Sequence, residues 1–354
     1  MKSVCKGLKV DEALVWAALG EWLGNEAGRK NSRRVEEEYG SRENLVRAVV
    51  DGVRDRSISF PKITTRVRNE DGKDREIGVE DVIEQVCEYV VLVSIDPLIK
   101  RLIGHWQLNR EGMGQFKAAP RVQRWMRGCK VHTHLDVHHC YGTMRYDKVL
   151  AVFDRYVASA DIRWLCRRIL ESYPDGHLMI GSCLSMRLAN IAMSFGYREL
   201  LNSATYRRGK RVRNVRHVCM YADDVWVFGD SKTGVNKAVK RLKSVMREMF
   251  GIEFKPYKVC GCACEPADVA GVVVTRGKVV VRGKTFIRAR RSILRFAGNP
   301  RSLNLARRVV SYFGWLKNTD TFLFRRDNGV YDTLRRAKAL IREHDRKMRL
   351  IACL

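Results

Sequence analysis

Asp223 and Asp224 stand side by side in the stretch HVCMYADDVWVFGD (His217–Asp230), with apolar residues on both flanks. Adjacent carboxylates repel each other, and a buried, unpaired charge is costly. A divalent cation answers both problems. Mg²⁺ prefers a few carboxylates together with substrate phosphate oxygens. Two such ions can hold the attacking and leaving oxygens of an in-line phosphoryl displacement. That chemistry needs a third carboxylate from a neighbouring strand. Asp136 is the acid placed to supply it, in the alternating stretch VHTHLDVHH (Val131–His139).

The same stretch allows a second reading. His132, His134, Asp136 and His138 alternate, so on a strand they would share one face, and His139 and Cys140 follow. Cys260, Cys262 and Cys264 form a C-x-C-x-C run that could add thiolates. Zinc sites usually come as C-x₂₋₄-C pairs with matched partners, and no matched second pair is visible. The carboxylate reading is the stronger one, and it gives the two histidines after Asp136 no role. The other cysteines are scattered singly, mostly among apolar residues, which suits reduced thiols in a cytoplasmic protein.

The chain has 354 residues, 45% of them hydrophobic, enough for a composite enzyme with a real core. Its 67 lysines and arginines against 39 acids give a net charge of +28, which points to a polyanionic partner, nucleic acid first. No apolar stretch approaches the roughly 18 to 20 residues of a membrane span. The apolar segment from Ala13 to Gly20 follows Asp11 and Glu12 and reads as an ordinary helix, not a signal peptide.

The elements that must position these acids follow from periodicity. Residues 1 to about 50 read as helical, with a break at Gly24–Asn31. Residues 57 to 79 read as strand, turn, strand around Asn69-Glu-Asp-Gly72. A helix over 80–106 is punctuated by Pro97, and Asn109–Gly114 is a glycine-bearing loop. After the Asp136 strand come helices over 145–172 and 184–201. The Asp223–Asp224 segment is strand, tight turn, strand. A helix over 233–250 and short strands at 269–275 and 278–282 follow. The remainder is helical and basic, with 21 lysines and arginines against 5 acids from Arg276 to Leu354.

Four boxes in this order resemble those of reverse transcriptases. Tyr221-Ala-Asp-Asp224 resembles their Y-x-D-D box, and Asp136-Val-His-His-Cys-Tyr141 their first catalytic box. Ile180-Gly-Ser-Cys-Leu-Ser-Met-Arg-Leu-Ala-Asn190 resembles the second box, and Gly72-Lys-x-Arg75 the hairpin that grips the triphosphate. Fainter likeness continues through Gly251–Pro256, Val269–Gly271 and Ser311–Lys317.

The resemblance implies roles. Asp136, Asp223 and Asp224 would be catalytic and would hold two Mg²⁺ ions, with Val137 beside them; Mn²⁺ could substitute. Lys73 and Arg75 would grip the phosphates of the incoming deoxynucleotide. Tyr141 would sit under its sugar and exclude a 2′-hydroxyl. Ile180 and Gly181 would line the nucleotide, Gly181 allowing close backbone approach, and Asn190 would brace the site. Lys255, with Lys258 as rival, would lie near the departing pyrophosphate. Tyr221 and Ala222 would meet the primer end.

The fold implied is an α/β (α+β) right hand. An N-terminal helical extension covers 1–50. Fingers cover 51–130 and 143–179. A palm of antiparallel sheet backed by helices covers 131–142 and 180–275, and a basic helical thumb covers 276–354. The implied partners are template RNA, a cDNA or primer strand and deoxynucleoside triphosphates, with no membrane. In the second box Ile180 replaces the usual glutamine and Met186 the usual proline. Ile180 fits the enzymes of diversity-generating retroelements; Met186 does not. That subfamily implies low fidelity, a structured template RNA and a small, basic, ring-forming accessory protein. No maturase, endonuclease or RNase H region is expected within these 354 residues. Retron-type and anti-phage defence enzymes are the alternatives. A nucleotide cyclase or an inactive RNA-binding scaffold fits less well, since a cyclase lacks Y-x-D-D and a scaffold does not need three acids.

Overall fold

The computed structural model describes residues 3–70, 72–110 and 112–352. Three helices come first: α1 (Glu12–Gly24), α2 (Glu26–Tyr39) and α3 (Arg42–Arg54). A hairpin of β1 (Thr64–Glu70) and β2 (Lys73–Val79) leads into α4 (Val82–Leu102) and α5 (Gln115–Gly128). β3 (Val131–Asp136) is followed by α6 (Cys140–Thr143), α7 (Tyr146–Tyr156), α8 (Ala160–Ser172) and α9 (Cys183–Asn202). A second hairpin, β4 (Ala204–Arg207) and β5 (Lys210–Arg213), precedes β6 (His217–Tyr221), β7 (Asp224–Gly229) and α10 (Lys232–Phe250). Then come β8 (Val259–Gly261), β9 (Ala267–Val269), β10 (Val272–Val274) and β11 (Val279–Val281). The chain closes with α11 (Gly283–Gly298), α12 (Leu303–Lys317), α13 (Phe322–Asp327) and α14 (Val330–Ala352).

The central sheet runs in the order β6-β7-β3-β8, with antiparallel neighbours throughout. Successive side chains on a strand point to opposite faces, and here both faces are used. Leu135, Val218, Met220, Val225 and Val227 join the large core that also holds buried residues of α9 and α10. Cys219, Trp226 and Phe228 join a second core with Trp125 and Met126 of α5 and Val269 and Val272 of the β9–β11 sheet. That double burial is why β7 reads as an unbroken apolar run rather than an alternating one. A third core is built from α11–α14 and Val281 of β11, and Trp315 packs against both it and the second core.

Several sequence expectations need correction. The expected break at Gly24–Asn31 is a single residue, Asn25, and α2 begins at Glu26. Gly28 allows this tight return, because a Cβ there would sit 2.0 Å from the Trp22 carbonyl oxygen. Pro97 lies inside α4 and does not end it. Burial of residues before and after the proline outweighs the one hydrogen bond it deletes. The helix expected over 145–172 is two, α7 and α8. Val157 leaves the helix to form a bridge with Val4, and Ser159 caps α8. The strand expected at 269–275 is β9 and β10, joined by a turn with left-handed Ala270 and Gly271. Helix α5 and the β4–β5 hairpin were not anticipated. In the N-terminal helices, Val15, Trp22 and Val49 belong to the same core as the central sheet. Among the described residues no helix is long and apolar enough to cross a membrane.

Candidate active site

Asp136 ends β3 and Asp224 begins β7, and the two are direct register partners. Tyr221 of β6 pairs with Asp224, so Ala222 and Asp223 form the two-residue turn between them. Ala222 takes a left-handed conformation with φ of 50°, a strained choice for a residue with a Cβ. The turn is tied down where the Val137 N–H donates to the Asp223 carbonyl at 3.2 Å. The three acids therefore meet at the open end of the sheet. Their strands are buried, but the Asp136 and Asp224 side chains keep 36% and 31% of their surface exposed.

Asp223 is partly buried like the other two. Burial first, then the charges of Asp224 and Asp136, push its carboxyl above the usual range, while the charge of Arg75 opposes them. The three carboxylates are thus close enough to repel, and the charge of Arg75 on the β1–β2 hairpin is felt at Asp223. Two side chains already hold the outer pair. Lys255 Nζ lies 2.7 Å from Asp136 Oδ2, and the Lys255 N–H donates to the Asp136 carbonyl at 2.9 Å. His134 Nε2 lies 2.6 Å from Asp224 Oδ1, and the ring stacks on Trp226 with centroids 5.1 Å apart. Among the described residues no three His, Cys, Asp or Glu side chains stand in ready metal-binding geometry. The donor chemistry nevertheless suits a hard divalent cation, with oxygen-only ligands of mutually repelling charge.

The residues expected to face the nucleotide come from the β1–β2 hairpin, the second box and α6. Gly72, at φ of 84°, turns the hairpin, with its N–H bonded to Asn69 Oδ1. Lys73 is exposed beside that turn, and Arg75 follows on the same strand face. The base of β2 joins the second box: Ile77 bridges Ile180, and the Gly78 N–H donates to the Ile180 carbonyl at 2.8 Å. Gly181 is required there. Its φ is 112°, and a Cβ would lie 2.9 Å from the Gly78 carbonyl oxygen. Tyr141, in α6, is half-buried; burial, then Cys140 and Asp223, raise its hydroxyl pKa to about 12. Asn190 is buried on α9 and exchanges hydrogen bonds with Asn109, while its carbonyl accepts from Gln107 Nε2 at 3.1 Å. It fastens the segment whose Leu108 N–H donates to Met220 of β6. Lys258 is instead exposed and paired with Glu265.

The histidine stretch divides. His132 and His134 share the face of Asp136, but His138 and His139 lie beyond β3. His132 is buried against Phe228, and burial lowers its pKa. Cys262 is buried in the second core and Cys264 is exposed, so the cysteine run forms no thiolate cage.

Sequence reading missed Glu88. Buried on α4, it accepts from the Tyr173 hydroxyl, from Ser182 and from the N–H groups of Cys183 and Leu184. It thus caps the helix of the second box. Glu84 accepts from Ser172, and Glu80, just before α4, is buried with one oxygen lacking a protein partner. The Glu80-x₃-Glu84-x₃-Glu88 spacing was the available signal: two acids on one stripe of an apolar helix and a third about one turn before them.

The family model described as reverse transcriptase (RNA-dependent DNA polymerase) matches residues 67–279, more than half of the chain. The chain belongs to the reverse transcriptase family. It is an RNA-directed DNA polymerase, a nucleotidyltransferase. The matched region of the polymerase begins within the β1–β2 hairpin and ends at the first residue of β11, leaving α1–α3 and α11–α14 outside it. No curated protein matches the chain.

Proposed function

We propose that this reverse transcriptase copies a structured template RNA by two-metal nucleotidyl transfer, with low fidelity, in a diversity-generating retroelement. The register pairing of Asp136 with Asp224, one residue from Asp223, is the observation that carries the metal chemistry. Two Mg²⁺ ions, with Mn²⁺ as substitute, would supply charge neutralisation at the attacking 3′-oxygen and the departing pyrophosphate. Asp136 and Asp223 would hold both, with Asp224 assisting. Lys255 and His134 would release their carboxylates as that happens. Lys73 and Arg75 would grip the triphosphate, and Tyr141 would sit under the sugar. Tyr221 and Ala222 would meet the primer end.

The hand layout fits this reading. The β1–β2 hairpin with α4, α5, α7 and α8 serves as fingers, the β6-β7-β3-β8 sheet with α9 and α10 as palm, and α11–α14 as a basic thumb on the template–primer duplex. Low fidelity is supported by Ile180. Its backbone is engaged by Gly78, and its aliphatic side chain offers the nucleotide no hydrogen bond. A small, basic, ring-forming accessory protein completes the proposed assembly.

The test is sequencing of cDNA made by the purified enzyme, with Mg²⁺, on the RNA of its own locus. Errors concentrated opposite template adenines are expected. Faithful copying would move the enzyme to a retron-like role, homopolymer or repeat products to a defence role, and RNA binding without incorporation to a scaffold.

A further inference from the structure

The β4–β5 hairpin stands apart from everything described above. Between Ser203 and Arg216 it carries Arg207, Arg208, Lys210, Arg211 and Arg213 and no acid. All five are exposed. Two neighbouring cations are matched: Arg216 pairs with Asp230 and Arg241 with Glu199. On the hairpin no carboxylate among the described residues pairs with any of the five; Arg211 reaches only the Asn202 carbonyl, at 3.1 Å. Five unmatched charges so close together repel one another, and a polyanion relieves that repulsion.

The hairpin also carries a ring. Tyr206 is 72% exposed, and its register partner is Arg211. Strand alternation puts Ala204, Tyr206, Arg211 and Arg213 on one face, and Thr205, Arg207, Lys210 and Val212 on the other. An exposed aromatic flanked by guanidiniums is a platform on which an unpaired base stacks while the cations hold its backbone. The root is fixed: Asn214 bonds to Ser203 through backbone and side chain and accepts from the Thr205 hydroxyl. β6 then runs away from the hairpin to the Tyr221–Asp224 turn, roughly 17 Å at the usual strand rise. The hairpin therefore lies at the end of the sheet opposite the catalytic acids.

We propose that the β4–β5 hairpin is a second RNA-binding site, which holds unpaired loop nucleotides of the template RNA outside the stretch being copied, with Tyr206 stacking on a base and Arg207, Lys210, Arg211 and Arg213 contacting phosphates. This rests on the reading that the enzyme copies a structured RNA. An acidic protein segment is the competing occupant; it would satisfy the charge but leave the exposed ring unexplained.

The experiment uses the full-length protein with Arg207, Lys210, Arg211 and Arg213 changed together to Ala, and separately Tyr206→Ala and Tyr206→Phe. Binding of the locus RNA is measured across a salt series. Primer extension is measured on a short template–primer that occupies only the copying site. The quadruple variant is expected to bind the RNA about tenfold or more weakly. Its log–log salt dependence should be shallower by about 3, near 0.7 for each phosphate of single-stranded RNA that is no longer neutralised. Extension on the short substrate should be unchanged. Tyr206→Ala should weaken binding at least about fivefold with the salt slope kept, and Tyr206→Phe should restore it. Unchanged RNA affinity in a quadruple variant with wild-type melting overturns the site. So does an equal loss of short-substrate extension, or displacement of the RNA by polyglutamate at equivalent charge. Failure of the wild-type enzyme to extend any primer would instead overturn the polymerase reading on which the site rests.

Discussion

Two triplets of carboxylates sit in this molecule and are handled in opposite ways. Asp136, Asp223 and Asp224 gather at the open end of a sheet. Glu80, Glu84 and Glu88 are buried along one stripe at and before α4. The outer aspartates are held by two side chains that can let go, Lys255 and His134, both partly exposed. Glu88 is held by donors that cannot leave, two of them backbone N–H groups at the start of α9. The first arrangement leaves negative charge ready for a cation. The second spends its charge on architecture, fixing the helix whose N-terminal approach carries Ile180 and Gly181. Acidic residue types alone do not distinguish the two; the exchangeability of their partners does.

The comparison breaks if the two triplets respond alike to substitution. Asp223→Asn should reduce primer extension about 1,000-fold or more, some 4 kcal/mol of barrier, while the melting temperature holds or rises as a like charge is removed. A large loss of stability would place Asp223 with the architectural acids. Glu88→Ala should do the reverse and lower stability by about 3 kcal/mol or more, because it strands buried donors. Denaturant titration would show it; an unchanged midpoint would mean that other groups cap α9.

Glu84 sharpens the contrast through pH. Burial, more than the hydrogen bond from Ser172 opposes it, raises its pKa from 4.5 to about 7. Folded Glu84 thus holds its proton more tightly than unfolded Glu84. Its favourable contribution is complete below about pH 4.5, is lost between about pH 4.5 and 7, and stays lost above. The full loss is on the order of 3 kcal/mol. Glu84→Gln should remove this component, so the stability of the variant relative to wild type should climb across that window and level off near pH 7. A constant difference would show that Glu84 titrates normally. Glu80 is shifted in the same direction, by burial and then by the charges of Glu88 and Glu84. The smallest effect is expected at the exchangeable partners. His134→Ala should weaken Mg²⁺ activation of extension about tenfold, as loss of an orienting partner to a metal ligand does, with little change in stability.

Much of the site was legible in the chain itself. Asp136, Asp223 and Asp224 were visible as acids interrupting apolar strands, and Gly72 as a turn glycine; Gly181 was expected to admit the nucleotide, whereas the close approach it allows here is that of the Gly78 carbonyl. Their legibility has a physical cause, since a carboxylate within a strand core or a glycine in a box has few structural uses. Glu88 was not legible, because its meaning depends on Ser182, Cys183 and Leu184, almost a hundred residues later. The β4–β5 hairpin was missed for another reason: its charge was hidden among the 67 lysines and arginines until the fold gathered five exposed cations around the exposed Tyr206 ring. Pro97 reads as punctuation yet lies inside a continuous helix, because residues on both sides of it are buried.

The sequence by itself determined the chemistry available: which acids, in which order, on which strands, and with which overall charge. Those properties follow from side-chain type and from the two-residue period of a strand, which need no knowledge of distant contacts. Only the tertiary structure decided which partners those acids take. The β3–β7 register brings Asp136 to Asp224, the return of residues 253–255 beside β3 brings Lys255 to Asp136, and the packing of α4 against α9 gives Glu88 its donors. Each joins segments far apart in the chain, and its energy comes from burial that no local window of sequence contains.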